Sequence, residues 1–354
     1  MLKKVGFLLL AIVLIIGGSV TWFISLLGDE LTYDYSQHRP EQIPYITNAI
    51  DESRGRILAV VTSTEFIGET TRKTGYELTE LSRAYYVFRV NGFAVDVASI
   101  RGGKPPMVLD ADDMGPFDYA FLNDKEAISK VENSMPIDEV DPQKYDAIYF
   151  VGGKGTMFDF PNNRHVQALV NYFWKQQKVI AAVCHGPAAF VNVQSENGDF
   201  FVANKALSSF TNDEELFLIP KAKEIFPFLL QSKLEERGAD FIAGENYLNK
   251  VVVDGNLITG QNPWSVWELA ESTIRALGYS PVQRMFTAEE NSIQALGIYA
   301  ASGYDEAHSF VVSINQNAEQ EVSRLSLATH AVVALINSEF KRAARILMLL
   351  NAIE

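Results

Sequence analysis

Four short apolar runs, interleaved with stretches patterned as helix, restrict this chain more than any other feature of its sequence. "RILAVVT" (56–62), "FAVDVAS" (93–99), "YDAIYFV" (145–151) and "KVIAAV" (178–183) read as strands rich in β-branched and aromatic residues. Between and after them, 76–92, 163–177 and 263–277 carry apolar residues at helical spacing. The first ends on Gly92, and the last has Pro263 in its first turn. "KVVVDGNLITG" (250–260) reads as a hairpin turning at Asp254-Gly255. Strands alternating with helices imply a mostly parallel sheet covered on both faces. In such sheets ligands and reactive groups gather where strands end and loops begin.

The length, 354 residues, suits one large domain with appendages, and 47% hydrophobic against 21% charged residues is enough to bury a substantial core. A formal net charge of −14 argues against a nucleic-acid partner, which calls for a basic face. The single cysteine permits no internal disulfide and no thiolate cluster. Among the 5 histidines no pair stands at metal-ligand spacing, so no metal site is expected.

At the N-terminus, residues 5–27, "VGFLLLAIVLIIGGSVTWFISLL", carry no charge. As a helix this run would reach roughly 34 Å, against the ~30 Å of a bilayer's hydrocarbon core. Lys3 and Lys4 precede it, and Asp29 and Glu30 follow. The expectation is a single-pass membrane anchor with its N-terminus inside and everything after residue 28 on the extracytoplasmic side. A cleaved signal peptide is the rival. However, the apolar run continues well past Gly17-Gly18-Ser19, and no A-x-A site closes it. With no cysteine nearby, a lipoprotein is excluded.

The expected organisation is thus an anchor (1–27), a polar tether (28–53), an α/β domain (54–279) and an all-α extension (280–354). In the extension, Thr287 and Glu290 have capping-box spacing, and the residues after them weakly resemble one tetratricopeptide-type helix-turn-helix unit. A single unit cannot bury its own face, so it is expected to dock on the domain or on a protein partner. Residues 319–350 read as one long amphipathic segment.

The chemistry centres on "KVIAAVCHGPAAF" (178–190). A buried strand runs straight into Cys184-His185-Gly186-Pro187 and then into helix-forming residues. That is the layout of a nucleophile elbow, which lifts a side chain off the carboxyl end of a sheet. A thiol at a helix's positive end is expected to have a lowered pKa, with His185 beside it to take or hold its proton. A structural buried cysteine is the bland alternative. "YDAIYFVGGKG" adds a strand ending in Gly152-Gly153, whose amides can turn inward as an oxyanion hole or simply end the strand.

"YDAIYFVGGKGTMFDFPNN", "VIAAVCHGPAAF", "FTNDEE" and "VDGNLITGQNPWS" occur in that order. Together they resemble the DJ-1/PfpI superfamily, related to class I glutamine amidotransferase domains, and within it the Hsp31-type glyoxalase III branch. The resemblance covers about 54–279 and implies a flavodoxin-like α/β sandwich. Position by position, it implies that Cys184 is the nucleophile, His185 its base and Glu215 the third triad member, with Glu214 the adjacent alternative. Glu80 matches an acid that hydrogen-bonds the thiol, and Gly153 with the backbone of His185 matches the oxyanion hole. Where the family usually has histidine after the double glycine this chain has Lys154, a candidate for setting substrate polarity at the pocket mouth.

The implied function is a cofactor-free glyoxalase that converts methylglyoxal or glyoxal to lactate or glycolate through a Cys184 hemithioacetal. Protein deglycation would use the same thiol. A cysteine amidase or peptidase, and an anchored chaperone or redox-sensing module, are the alternatives. Homodimers are common among relatives, and a small dicarbonyl is the expected substrate.

Overall fold

The computed structural model describes residues 24–110 and 113–353, which form two compact units: residues 35–284, and residues 24–34 together with 285–353.

The larger unit is a mixed α/β layer structure. Its sheet comprises β1 (Gly55–Val61), β2 (Phe93–Ser99), β3 (Met135–Pro136), β4 (Ala147–Phe150), β5 (Val179–Val183), β6 (Val251–Asp254) and β7 (Leu257–Gly260), in the spatial order β6-β7-β5-β4-β1-β2-β3. All neighbours pair in parallel except the β6–β7 hairpin. The order reverses between β1 and β4, a topological switch point that opens a crevice at the strands' carboxyl ends.

Both faces of the sheet are covered, which is why the central strands read as unbroken apolar runs. On one face, Leu58, Val60, Ile148, Phe150, Ile180 and Ala182 share a core with Val166, Val170 and Phe173 of helix Arg164–Lys175. Alternation sends Tyr149 to the other face. There its ring meets Phe88 of helix Leu78–Val90 edge-on at 5.8 Å, and its hydroxyl donates to the Glu80 carbonyl at 2.8 Å. Asn163 caps helix Arg164–Lys175 through the amides of His165 and Val166.

In the smaller unit, Thr287 and Glu290 form the capping box of helix Ala288–Ser302, which is followed by helix Tyr304–Asn315. The segment 319–350 is not one long helix. It contains two, Arg324–Ile336 and Phe340–Leu350, separated at Asn337-Ser338-Glu339, where Ser338 adopts φ 63°. "SGYDEAHSFVVSIN" (302–315) returns as "SEFKRAARILMLLN" (338–351), with Ala307 and Ala343 equivalent and both buried. The extension is therefore built from two helical hairpins of one pattern.

The membrane expectation is corrected. Residues 5–23 of the apolar run lie outside the described residues, and no helix among the described residues is long and apolar enough to cross a membrane. The end of the run belongs instead to the smaller unit's protein interior. Leu26 and Leu27 are buried, the Leu26 carbonyl accepts from Arg324 at 3.1 Å, and Glu30 accepts from the Leu325 amide at 3.0 Å. The single-pass anchor, its membrane partner and the extracytoplasmic placement derived from it are accordingly withdrawn.

Ile148→Ala removes a fully buried side chain from β4 and is expected to cost about 2–5 kcal/mol in urea unfolding. Val253→Ala on β6, where the side chain is 54% exposed, should stay within about 0.5 kcal/mol.

Candidate active site

The elbow forms because the chain must leave β5 and reverse within a few residues. Cys184 turns it with φ 57°, a left-handed conformation that is unfavourable for a residue with a Cβ. Two backbone bonds hold it there: its amide donates to the Gly260 carbonyl at 2.9 Å, and its carbonyl accepts from the Phe210 amide at 2.9 Å. His185 follows, then a short 3-10 turn, Gly186–Phe190, with proline in its first turn. Gly186 is required because a Cβ there would lie 2.3 Å from the Phe150 carbonyl oxygen.

Around this turn the side chains form a line. Cys184 Sγ is 3.2 Å from His185 Nδ1, and His185 Nε2 is 2.5 Å from Glu215 Oε2, all three residues being buried. A carboxylate can only accept, so Nε2 carries the ring proton and Nδ1 presents its lone pair to the sulfur. The ring lies against Phe210, centroids 4.7 Å apart, and the His185 carbonyl accepts from Thr156 Oγ1 at 2.9 Å. Of the two adjacent acids, Glu215 faces the imidazole; Glu214 is engaged elsewhere. Burial opposes ionisation of Glu215, but the hydrogen bond from His185 and its attraction to the ring once protonated outweigh it and hold the carboxyl below the usual carboxylate range.

Glu80 enters from the first turn of helix Leu78–Val90 and is fully buried. Its Oε2 accepts from the Gly152 amide at 2.7 Å. Only glycine fits at 152, because a Cβ there would lie 2.4 Å from Glu80 Oε2 and 2.9 Å from Cys184 Cβ. The missing side chain is the gap that brings carboxyl and cysteine together. The same bond corrects one expectation: the Gly152 amide is used on Glu80 and is not an oxyanion donor. Among the described residues the amides of Gly153 and His185 have no protein acceptor. Gly153 has φ 108° and packs against the backbone of Gly75 and Tyr76.

The electrostatics differ from the simple expectation of a thiol acidified by a helix. Gly186–Phe190 is too short for an appreciable macrodipole. Burial pushes the Cys184 thiol up, and an ionised Glu80 pushes it further. Burial also raises Glu80 well above the carboxylate range, with Glu77 adding to the effect. Two such groups in one buried gap do not ionise together. When sulfur is the anion, Glu80 is the acid beside it. Lys154, half-buried, supplies positive charge that favours ionisation of Cys184, Glu80 and Glu215 alike.

Sequence reading missed Glu77, Thr156 and Phe210. Glu77 is the extended N-cap residue of helix Leu78–Val90, immediately before the turn that carries Glu80. Nothing local marks Thr156 or Phe210, whose roles arise only from tertiary contact. Among the described residues no group of three histidine, cysteine or carboxylate ligands is arranged to hold a metal ion.

Burial of Glu80 has a measurable consequence. Because its folded-state pKa lies above the ordinary value of 4.5, its contribution to stability is full below that value and is lost as pH rises toward the raised one. Urea unfolding of wild type and Glu80→Gln across this range should show the loss in wild type and a flatter profile in the variant.

This geometry can be set beside known proteins. The sequence profile of the DJ-1/PfpI family matches residues 71–208. Glyoxalase 3 of Candida albicans is 29% identical over 231 residues, covering 62% of this chain and 97% of that protein. Glutathione-independent glyoxalase hsp3101 of Schizosaccharomyces pombe is 30% identical over 236 residues, 63% of this chain and 96% of its own length. Among solved structures, glyoxalase III from Candida albicans is 28% identical with a TM-score of 0.57, covering 64% of this chain and 98% of that one. Rapid Encystment Protein 24 kDa from Francisella tularensis is 34% identical with a TM-score of 0.59, covering 63% and 99%. The chain belongs to the DJ-1/PfpI family, and its curated relatives there are Hsp31-type glutathione-independent glyoxalases.

Proposed function

We propose that the chain is a glutathione-independent glyoxalase that converts methylglyoxal to lactate, and glyoxal to glycolate, with Cys184 as the nucleophile. The observation that carries the reading is the line Cys184 Sγ–His185 Nδ1–His185 Nε2–Glu215 Oε2, with separations of 3.2 and 2.5 Å, at the carboxyl end of a parallel sheet. The names of the relatives supply the substrate class.

His185 Nδ1 takes the thiol proton, and the sulfur adds to the aldehyde carbon of methylglyoxal. The new C–S bond leaves an alkoxide that is protonated to a hemithioacetal. The same imidazole then removes the hydrogen from that carbon, and the electron pair moves into the adjacent ketone to give an enediolate. Protonation at the former ketone carbon yields a lactoyl thioester on Cys184. Water hydrolyses it, releasing lactate and restoring the thiol. The redox change is internal: the aldehyde carbon is oxidised, the ketone carbon reduced, and no external electron acceptor is consumed.

Each charge in this sequence has a neighbour suited to it. Glu215 stabilises the imidazolium formed at each proton transfer. The amides of Gly153 and His185, which have no protein acceptor among the described residues, serve the alkoxide and enediolate oxygens in this reading. Glu80, protonated when sulfur is ionised, donates toward the thiolate that His185 creates. Lys154 at the site adds an attraction for electron-rich oxygens, a difference from the family's usual histidine that bears on which dicarbonyls bind.

Cys184→Ser is expected to abolish lactate formation from methylglyoxal without glutathione, with the fold intact by circular dichroism. Glu215→Gln should lower kcat/KM by about 10²–10⁴-fold. Undiminished turnover in Cys184→Ser removes the proposal. Retained ester or amide hydrolysis without dicarbonyl turnover in wild type would favour the amidase reading instead.

A further inference from the structure

The Gln261-Asn262 pair has no part in the mechanism above, yet both side chains are fully buried near the triad. They converge on Glu214, the acid beside Glu215, which is fully buried and makes five side-chain hydrogen bonds. Oε2 accepts from the amide and hydroxyl of Thr211, each at 3.0 Å. Oε1 accepts from the Tyr247 amide at 2.8 Å, Gln261 Nε2 at 3.0 Å and Asn262 Nδ2 at 2.9 Å. None of these donors is a cation; the charge is met by oriented dipoles alone.

The donors come from three separate stretches of chain. Thr211 caps helix Asn212–Leu218, on which Glu214 and Glu215 lie. Tyr247, held at φ 60°, also donates from its hydroxyl to the Glu214 carbonyl at 3.0 Å. Gln261 and Asn262 follow β7, with Gln261 Oε1 accepting from the Gly244 amide at 2.7 Å and Asn262 Nδ2 shared with the Leu248 carbonyl at 2.9 Å. The carboxylate therefore ties the first turn of a two-turn helix to the end of β7 and to the loop covering it. That turn carries Glu215 to the imidazole.

We propose that Glu214 is a positioning residue. Its charge, gripped by Thr211, Tyr247, Gln261 and Asn262, fixes the helix so that Glu215 Oε2 meets His185 Nε2. An amide in its place leaves donors opposed in either orientation. Turned one way, a glutamine's NH₂ faces the three donors Tyr247, Gln261 and Asn262; turned the other way, it faces the Thr211 amide N–H, and only the Thr211 hydroxyl can accept from it. The inference rests on the proposed role of Glu215, but its primary test reads the contact and not turnover.

A hydrogen bond as short as that between His185 and Glu215 gives a far-downfield ring N–H proton resonance. The expectation is that wild type shows this resonance at low temperature and that Glu215→Gln lacks it. Glu214→Gln should move it upfield or abolish it, with kcat reduced roughly 10²-fold, as for a catalytic group misplaced by about 1 Å, and KM little changed. Gln261→Ala and Asn262→Ala each remove one donor and should give intermediate shifts, which keeps the test open if Glu214→Gln does not fold. An unmoved resonance in the folded variants, or its absence from wild type, overturns the proposal. Shifted resonances alongside a wild type inactive on methylglyoxal would leave the positioning role standing and remove the glyoxalase reading.

Discussion

The backbone of Cys184 is the constraint on which the site depends. A left-handed residue with a side chain is held against its preference, at a cost of order 1–3 kcal/mol, by bonds to the Gly260 carbonyl and the Phe210 amide. Those two bonds have a geometric result as well as a stabilising one. Gly260 is the last residue of the strand that leads into Gln261-Asn262, and Phe210 immediately precedes the Thr211 cap. Every segment that contributes to the triad is therefore registered against the one residue whose conformation has to be enforced.

From that residue the chemistry follows by exclusion. A buried sulfur beside a buried carboxyl cannot be ionised unless the carboxyl is protonated, and the missing Gly152 side chain forces the two into the same gap. The imidazole is fixed from its far side by Glu215, so the nitrogen nearest sulfur is the basic one. Glu80 and Glu215 thus divide the labour by environment. One is held neutral by burial; the other is held ionised by its histidine.

Much of this was legible in the sequence. The four apolar runs became β1, β2, β4 and β5 with ends shifted by a residue or two, because strands buried on both faces have continuous signatures. The Asp254-Gly255 hairpin and the helix after Pro263 were also marked by local chemistry. What escaped had weaker or nonlocal signals. β3 is two residues long and contains a proline. The break at Asn337-Ser338 depends on one left-handed serine, and the repeat linking 302–315 with 338–351 preserves pattern while exchanging acidic residues for basic ones. Apolarity at the N-terminus was read as a membrane signal, whereas Leu26 and Leu27 are buried in protein. The thiol's electrostatics were misjudged because a strand–turn–helix pattern says nothing of how short the helix is or which carboxyl lies behind the sulfur.

The central claim is that carbon–sulfur bond formation at Cys184 lies on the path to lactate. Rapid quenching of the protein with methylglyoxal, followed by mass spectrometry of the peptide that spans the elbow, tests it most directly. The account predicts a transient adduct with the mass of one methylglyoxal, the hemithioacetal and lactoyl thioester being isomers, localised to Cys184 and decaying as lactate appears. Lactate accumulating while that peptide stays unmodified at every quench time would contradict it.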